Sequence, residues 1–158
     1  MIKADKKNRD AAPPADKDKG RFITAFTDGS FCHDTSAYGC SYWIRDGENA
    51  PVTNSKGGIG IANCGQAEIE ALNGAIDWIN NNCHLAGRVV ILQSDSLEAL
   101  NKCNYYVLKR KAKFVKLKHV KAHSSARTKR SWVNNVCDKL AKDQMKGYRE
   151  SVYQARKG

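Results

Sequence analysis

The stretch 21-RFITAFTDGSF-31 decides how this 158-residue chain folds. Its first half is apolar at successive positions, which is typical of a strand buried on both faces in the middle of a sheet. Its second half contains Asp28, Gly29 and Ser30, residue types that commonly form turns. Asp28 is therefore either a turn residue that closes a central strand or a carboxylate placed there for chemistry. The remainder of the sequence separates these two interpretations.

Composition limits the class of protein. The length suits one domain, and a hydrophobic fraction of 41% is enough for a core. No apolar run approaches the roughly 18 residues of a membrane span, and the N-terminus lacks the apolar segment of a signal peptide. We therefore expect a soluble, cytoplasmic protein with no membrane partner. The six cysteines lack the spacing of a zinc site, so we expect reduced thiols.

The positive charge is concentrated in one part of the chain. The formal net charge is +11, and the segment from Lys102 to Arg130 contains eleven Lys and Arg residues. No acidic residue occurs between Leu100 and Cys137. Such a segment is either a solvated basic surface or a surface that binds a polyanion.

Composition also divides the chain. Residues 1–20 mix Lys, Asp, Ala and Pro and have few large apolar residues. We therefore expect a disordered tail that contains both basic and acidic residues. We expect one domain over residues 21–148 and a C-terminal extension over 149–158.

Hydrophobic periodicity predicts the element order βββαβαβα, an α/β domain with helices on a mixed sheet. The first three strands, expected as an antiparallel meander, and the two later strands are 21–31, 38–45, about 51–61, 88–95 and 114–123. The helices are expected over 65–82, after a cap at Ser94 or Ser96, and near 132–145.

Four acidic residues fall at unusual places on these elements. Glu68 lies in the middle of the apolar stripe of the first helix, whereas Glu70 lies on its polar face. A buried carboxylate without a cation is costly, so Glu68 requires a metal ion or a distant partner. Asp28 closes a central strand and Asp95 ends the buried parallel strand, although turns or helix caps also explain them. Asp138 lies at the margin of the apolar face of the last helix, where a surface acid is equally ordinary.

Together these carboxylates predict a metal site. Four acids at one end of a sheet repel one another unless divalent cations neutralise them. Carboxylate oxygens are hard ligands that favour Mg²⁺ or Mn²⁺ over zinc.

Five stretches resemble, in order, the motifs of type 1 ribonuclease H. They are 26-FTDGSF-31, 66-QAEIEALNGAIDW-78, 91-ILQSDS-96, 121-KAHSS-125 and 134-NNVCDKLAK-142. The resemblance covers roughly residues 21–146. It implies a ribonuclease H-like fold: a five-stranded mixed sheet of order 3-2-1-4-5, flanked by helices.

The resemblance also implies an activity and a set of residues. It implies a monomeric endonuclease that uses two Mg²⁺ ions, replaceable by Mn²⁺, to cut the RNA strand of an RNA–DNA hybrid, leaving 5′-phosphate and 3′-hydroxyl ends. Asp28, Glu68, Asp95 and Asp138 would hold the metals, and His123 would assist proton transfer and product release.

Substrate contacts are expected from two groups of residues. Backbone groups near the RNA 2′-hydroxyls would come from Gly29, Ser30 and Ser96. Phosphate contacts would come from the basic segment, at Lys109, Arg110, Lys111, Arg127, Lys129 and Arg130.

Some stretches depart from the family pattern. Only 27 residues separate Asp95 from His123, too few for the basic helix and loop found in many cellular members, so the chain resembles the handle-less form. The loop between His123 and Asp138 is longer than the family leads us to expect, and the approach to the glutamate helix is altered to 62-ANCGQAE-68.

Two other functions stay open at this stage. One is another nuclease on the same fold, such as a junction resolvase. The other is a non-catalytic module that binds hybrids through its basic surface, although binding alone would favour fewer carboxylates beside a phosphate.

Overall fold

The computed structural model describes residues 20–120 and 129–158, with side chains in the second range from residue 132 onwards. The strands are β1 (Phe22–Phe31), β2 (Ala37–Asp46), β3 (Val52–Ile59), β4 (Val89–Ser94) and β5 (Phe114–His119). The helices are α1 (Cys64–Asn82), α2 (Leu97–Lys102), α3 (Tyr106–Lys109) and α4 (Lys129–Lys157). Residues 1–19 of the predicted N-terminal tail lie outside the described residues.

The five strands form one mixed sheet in the order β3-β2-β1-β4-β5. The pairs β1–β2 and β2–β3 are antiparallel, as expected of a meander with short turns. The pairs β1–β4 and β4–β5 are parallel, and helices make their crossover connections. The predicted fold class and the order 3-2-1-4-5 are confirmed.

The main core lies between the sheet and α1. This helix begins after Asn63, whose side chain accepts a hydrogen bond from the Gln66 N–H at 2.9 Å. Gln66 Oε1 in turn accepts from the Ala62 N–H at 2.7 Å, so two helix-start donors are satisfied reciprocally. The apolar stripe of α1 then packs against inward side chains of β1, β2, β4 and β5.

The first strand is longer than the turn interpretation of Asp28 predicts. Pairing of β1 with β4 ends at Phe26 opposite Gln93, but pairing with β2 continues to Phe31 opposite Tyr38. Asp28 is therefore inside β1, opposite Ser41, and not at its end. It lies beyond the last rung shared with β4, which leaves that side of the strand open.

The last helix is also longer than predicted. α4 runs without interruption through residues 149–158 as far as Lys157. Its final turns lack a broad apolar stripe, which is why periodicity did not extend the prediction. A contact distant in sequence holds them instead, because Arg156 Nη1 lies 3.0 Å from Asp34 Oδ2 on the β1–β2 turn. The short helix α3 was not predicted.

α4 packs on β1, β2 and β3 from the side opposite to α1. Phe26, Trp43, Val133 and Cys137 form a small second core there. All six cysteines are free thiols. Within the described part of the chain, no helix is both long enough and apolar enough to cross a membrane.

Gly39 makes the close approach of α4 possible, and this can be tested. A Cβ on Gly39 would lie 1.9 Å from the Ala141 carbonyl oxygen and 2.7 Å from the Met145 nitrogen. Gly39→Ala should therefore lower the free energy of unfolding by about 3 kcal/mol or more, measured by denaturant titration. Gly147→Ala is the matched control on α4, where an added Cβ meets nothing within 4 Å. It should raise stability by about 0.5–1 kcal/mol, and an equal loss in both variants would contradict this account.

Candidate metal centre

Three carboxylates meet at one end of the sheet. One oxygen from each of Asp28, Glu68 and Asp95 lies within 4.8 Å of the other two. Asp28 projects from β1 beyond its pairing with β4, Asp95 directly follows β4, and Glu68 is in the second turn of α1. The carboxyl end of a parallel strand pair is where ligands of open α/β sheets collect.

Glycine at position 29 allows α1 to come this close. A Cβ there would lie 2.6 Å from the Ala67 carbonyl carbon and 2.7 Å from the Glu68 nitrogen. The backbones of strand and helix are therefore in contact, which brings the Glu68 side chain to Asp28. The Gly29 N–H also donates to Asp28 Oδ1 at 2.9 Å. Gly29 thus has a packing role in addition to the predicted role in substrate binding.

The electrostatics of this cluster are unfavourable without a cation. Glu68 is only 7% exposed, as its place on the apolar stripe predicts, and its Oε1 receives no hydrogen bond. Burial, followed by repulsion from Asp28 and Asp95, raises the pKa of Glu68 to about 10. Burial, followed by repulsion from Asp95 and Asp138, raises the pKa of Asp28 to about 8. The Gly29 N–H opposes both shifts.

The donor set fits a hard divalent cation. Three carboxylate oxygens within reach of one another, one of them buried without a partner, match the ligands of Mg²⁺ or Mn²⁺. A cation here would remove both the repulsion and the unsatisfied oxygen.

Asp138 lies beside this cluster and not within it. Its carboxyl is a hydrogen-bond neighbour of Asp28 when the pair shares a proton, and its charge contributes to the raised pKa of Asp28. It also forms an ion pair, since Lys142 Nζ lies 3.1 Å from its Oδ2. Asp138 is half-buried and lies on the helix side of the cluster.

The other predicted site residues are distributed unevenly. Ser96 caps α2, because its Oγ accepts from the Ala99 N–H at 3.1 Å, and this places it next to Asp95. Ser30 lies on β1, opposite Gly39. His123 and Arg127 are outside the described residues. Lys129 and Arg130 are the first two residues of α4.

The run from Lys109 to Lys111 is not brought to the carboxylates. It lies just before β5 starts, whereas Asp95 follows the opposite end of the parallel neighbour β4. Six strand residues separate the two ends, a distance of about 20 Å. Lys111 Nζ donates to Asn80 Oδ1 at 2.9 Å, near the end of α1 that is remote from Glu68.

Two residues near the cluster were not predicted. His119 Nε2 lies 3.0 Å from the Asp95 carbonyl oxygen. Cys64 is the exposed first residue of α1, and its pKa is raised by burial and then by the charges of Glu68 and Asp95. The pairing of β4 with β5 indicates His119, but that pairing is not local in sequence.

Comparison with known proteins gives a likeness of structure only. No protein-family model matches the chain, and no curated protein matches it. RNase H1 from the halophilic archaeon Halobacterium salinarum is similar over 80% of this chain and 98% of its own, with 20% identity and a TM-score of 0.55. The N-terminal RNase H domain of Rv2228c from Mycobacterium tuberculosis is similar over 83% and 98%, with 17% identity and a TM-score of 0.61.

These similarities establish the class: the chain has the ribonuclease H-like fold. The resemblance inferred from its motifs is confirmed at that level.

The raised pKa values predict how stability depends on pH. Between about pH 4.5 and pH 8, the folded chain holds protons on Glu68 and Asp28 that the unfolded chain has lost. Without divalent ions, the free energy of unfolding should therefore fall as the pH rises through this window. Adding Mg²⁺ should restore more stability near pH 8 than near pH 5, because bound cations replace the protons. Thermal unfolding with EDTA or Mg²⁺ measures both effects.

Neutral substitutions supply the matched controls. Glu68→Gln should raise the melting temperature in EDTA by about 2–4 °C, the change that 1 kcal/mol produces in a chain of this size, and should weaken the response to Mg²⁺. Glu70→Gln on the same helix should change little, since Glu70 is partly exposed and lies 3.7 Å from Lys56 Nζ. A pH profile and Mg²⁺ response that stay the same in Glu68→Gln would contradict this account of the cluster.

Proposed function

We propose that this chain is a metal-dependent endoribonuclease that hydrolyses the RNA strand of RNA–DNA hybrids and leaves 5′-phosphate and 3′-hydroxyl ends. The observation that carries the proposal is the convergence of Asp28, Glu68 and Asp95 around a buried carboxylate oxygen without a partner. The two structural neighbours are named as RNase H proteins, which supports this activity on this fold. We further propose that the protein is a cytoplasmic monomer.

The carboxylates would act as ligands and as positioning groups. Asp28, Glu68 and Asp95 would bind the cations, and Asp138 would complete the set from α4. Two bound Mg²⁺ ions, or Mn²⁺ in their place, would supply an activated water and stabilise the charge on the phosphate and the leaving 3′-oxygen. The contact between Gly29 and α1 keeps Glu68 beside Asp28, so little rearrangement is needed when substrate binds.

The reaction needs a proton donor, and His123 is the candidate. The leaving 3′-oxygen must gain a proton, and a histidine titrates near neutral pH. His123 is four residues after His119, the last residue of β5, whose Nε2 lies 3.0 Å from the Asp95 carbonyl oxygen. We propose that it delivers this proton and assists product release.

Substrate would be held by charge and by backbone contacts. The acid-free segment from Leu100 to Cys137 would attract the phosphates, with no dependence on base sequence. Ser30 and Ser96, which are close in sequence to Asp28 and Asp95, would contact RNA 2′-hydroxyls. Lys109, Arg110 and Lys111 would contribute only where the hybrid extends about 20 Å along the sheet.

Cleavage of defined substrates tests the activity. Labelled RNA–DNA hybrid, duplex DNA and a four-way junction are each incubated with Mg²⁺, Mn²⁺ or EDTA. We expect metal-dependent cleavage of the RNA strand of the hybrid alone. Junction cleavage would identify a resolvase, and tight hybrid binding without cleavage would identify a binding module.

Asp138→Asn and Asp143→Asn form a matched pair on α4. Asp138 adjoins Asp28, whereas Asp143 is exposed and lies 2.9 Å from Lys139 Nζ. Removing a group that supports metal ligands typically costs about 10–100-fold in metal affinity or activity, so Asp138→Asn should lower kcat by about 10–100-fold. Asp143→Asn should retain activity. Equal activity of the two variants would exclude Asp138 from the site.

Three histidine variants test the proton assignment. His123→Ala should lower kcat by about 100-fold and flatten its dependence on pH, because general acid catalysis contributes about that much. His84→Ala, at the remote end of α1, is the control and should behave as wild type. If His119→Ala produces the loss and His123→Ala does not, the proton comes from the residue beside the Asp95 carbonyl.

A further inference from the structure

One part of the sheet surface is left open by the helices. α1, α2 and α3 pack on the face that carries the main core. α4, the described helix on the opposite face, packs on β1, β2 and β3. On the rest of this second face, Phe22, Phe114 and Lys116 are exposed, whereas Thr24, Val89 and Ile91 are half-buried. We call this area, at the starts of β1, β4 and β5, the open face.

Strand register defines which residues form the open face. Val90, Leu92 and Val115 point into the main core, so the residues that alternate with them point the other way. Pairing then gives three successive rows across the strands. The rows are Phe22–Val89–Phe114, Thr24–Ile91–Lys116 and Phe26–Gln93–Lys118. In the third row Phe26 and Gln93 are buried, and Phe26 packs against α4, so only Lys118 of that row belongs to the open face.

The first row presents two aromatic rings to solvent. Phe22 is 40% exposed and Phe114 is 58% exposed, so two large apolar rings of one row face solvent. They are separated by one strand, so their backbones lie about 10 Å apart. The Arg21 guanidinium lies 5.9 Å from the centre of the Phe22 ring.

The next rows add positive charge. Lys116 and Lys118 alternate with core residues along β5 and lie on the same side as Phe114. They belong to the segment without acidic residues. Charged residues are depleted from the centre of protein–protein interfaces, so lysines on the strand that carries Phe114 argue against a protein partner or a second copy of this chain. Aromatic rings beside cations on an open sheet suit single-stranded nucleic acid.

The open face extends toward the candidate metal centre along β5. Gln93 on β4 is only 3% exposed, so the solvent-accessible path from the aromatic row follows Lys116 and Lys118. It ends beside the carboxylates, since β5 pairs with β4 as far as Ser94, the residue before Asp95, about 20 Å from the aromatic row.

We propose that the open face binds single-stranded nucleic acid that is continuous with the substrate at the candidate metal centre. Bases stack on Phe114 and Phe22, and the phosphates on the metal-centre side of Phe114 contact Lys116 and Lys118. The continuity with a substrate rests on the proposed nuclease function, whereas the binding of single strands does not.

Binding is measured in EDTA, so that it does not depend on cleavage. The fluorescence anisotropy of a labelled single-stranded RNA and of a single-stranded DNA is titrated with wild type and variants. Phe114→Ala should weaken binding about five-fold or more, and combining it with Phe22→Ala should weaken it further. Phe114→Trp should bind as well as wild type, because the ring is retained. Lys116→Gln should weaken binding and reduce its dependence on salt.

Matched controls lie elsewhere on the surface. Tyr106 is 53% exposed on α3, on the side of the main core, and Tyr106→Ala should leave binding unchanged. Lys139→Gln on α4 is the control for Lys116→Gln. Equal binding by Phe114→Ala and wild type would overturn the proposal. Association of the wild-type chain that is lost in Phe114→Ala, seen by sedimentation, would also overturn it by assigning the face to a second copy.

A cleavage experiment separates this proposal from the nuclease proposal. A blunt RNA–DNA hybrid is compared with hybrids that carry a single-stranded extension at one end or the other. We expect wild type to cleave one extended hybrid with a kcat/KM about five-fold above that of the blunt one, and Phe114→Ala to lose this preference while cleaving the blunt hybrid normally. If no hybrid is cleaved, the proposed nuclease function is wrong, and the open-face proposal is unaffected. If wild type cleaves blunt and extended hybrids equally well, and Phe114→Ala binds single strands as wild type does, the open-face proposal is wrong and the nuclease function stands.

Discussion

The contact between the Gly29 backbone and the backbone of α1 is the constraint on which the candidate metal centre depends. With any larger residue at position 29, the helix would have to move away from β1, since an added Cβ would fall within 2.8 Å of three backbone atoms. Movement of α1 would carry Glu68 away from Asp28. The cluster therefore exists because a strand and a helix touch where one residue has no side chain.

A second glycine allows a close contact between a helix and a strand on the other side of the sheet. Gly39 is opposite Ser30 in the register and allows α4 to approach β2 as closely as α1 approaches β1. Small polar side chains secure both contacts. Cys40 Sγ donates to the Ala67 carbonyl at 3.3 Å, and Cys137 Sγ donates to the Phe26 carbonyl at 3.6 Å. α1 and α4 thus lie in close contact with adjacent strands. Glu68 on α1 and Asp138 on α4 both come close to Asp28.

Local patterns predicted part of this arrangement well. Glu68 could be recognised because helical periodicity places it among apolar residues, and the structure buries it there. The α/β order followed from alternating periodicities in the same way. These signals lie within a single element, so sequence alone contains them.

Contacts between residues distant in sequence determine the features of the structure that the sequence did not predict. One side of the first strand is open at Asp28 because β2 pairs beyond the point where β4 stops. α4 extends to Lys157 because Arg156 reaches Asp34 on a distant turn. The run from Lys109 to Lys111 is close to Asp95 in sequence, but the crossover from β4 to β5 returns the chain to the other end of the sheet. None of these outcomes has a signal within one element.

The distribution of charge links metal binding to substrate binding. At neutral pH, Glu68 and Asp28 retain protons, since burial and mutual repulsion raise their pKa values to about 10 and about 8. A divalent cation that binds there must displace those protons, so its affinity increases with pH. Once bound, it also converts a cluster that repels phosphate into one that attracts it. The acid-free segment would draw a polyanion to the surface from a distance, whereas close approach of a phosphate to the carboxylates requires the cation. Metal and nucleic acid should therefore bind cooperatively, because the bound cation removes the repulsion between the phosphate and the carboxylates.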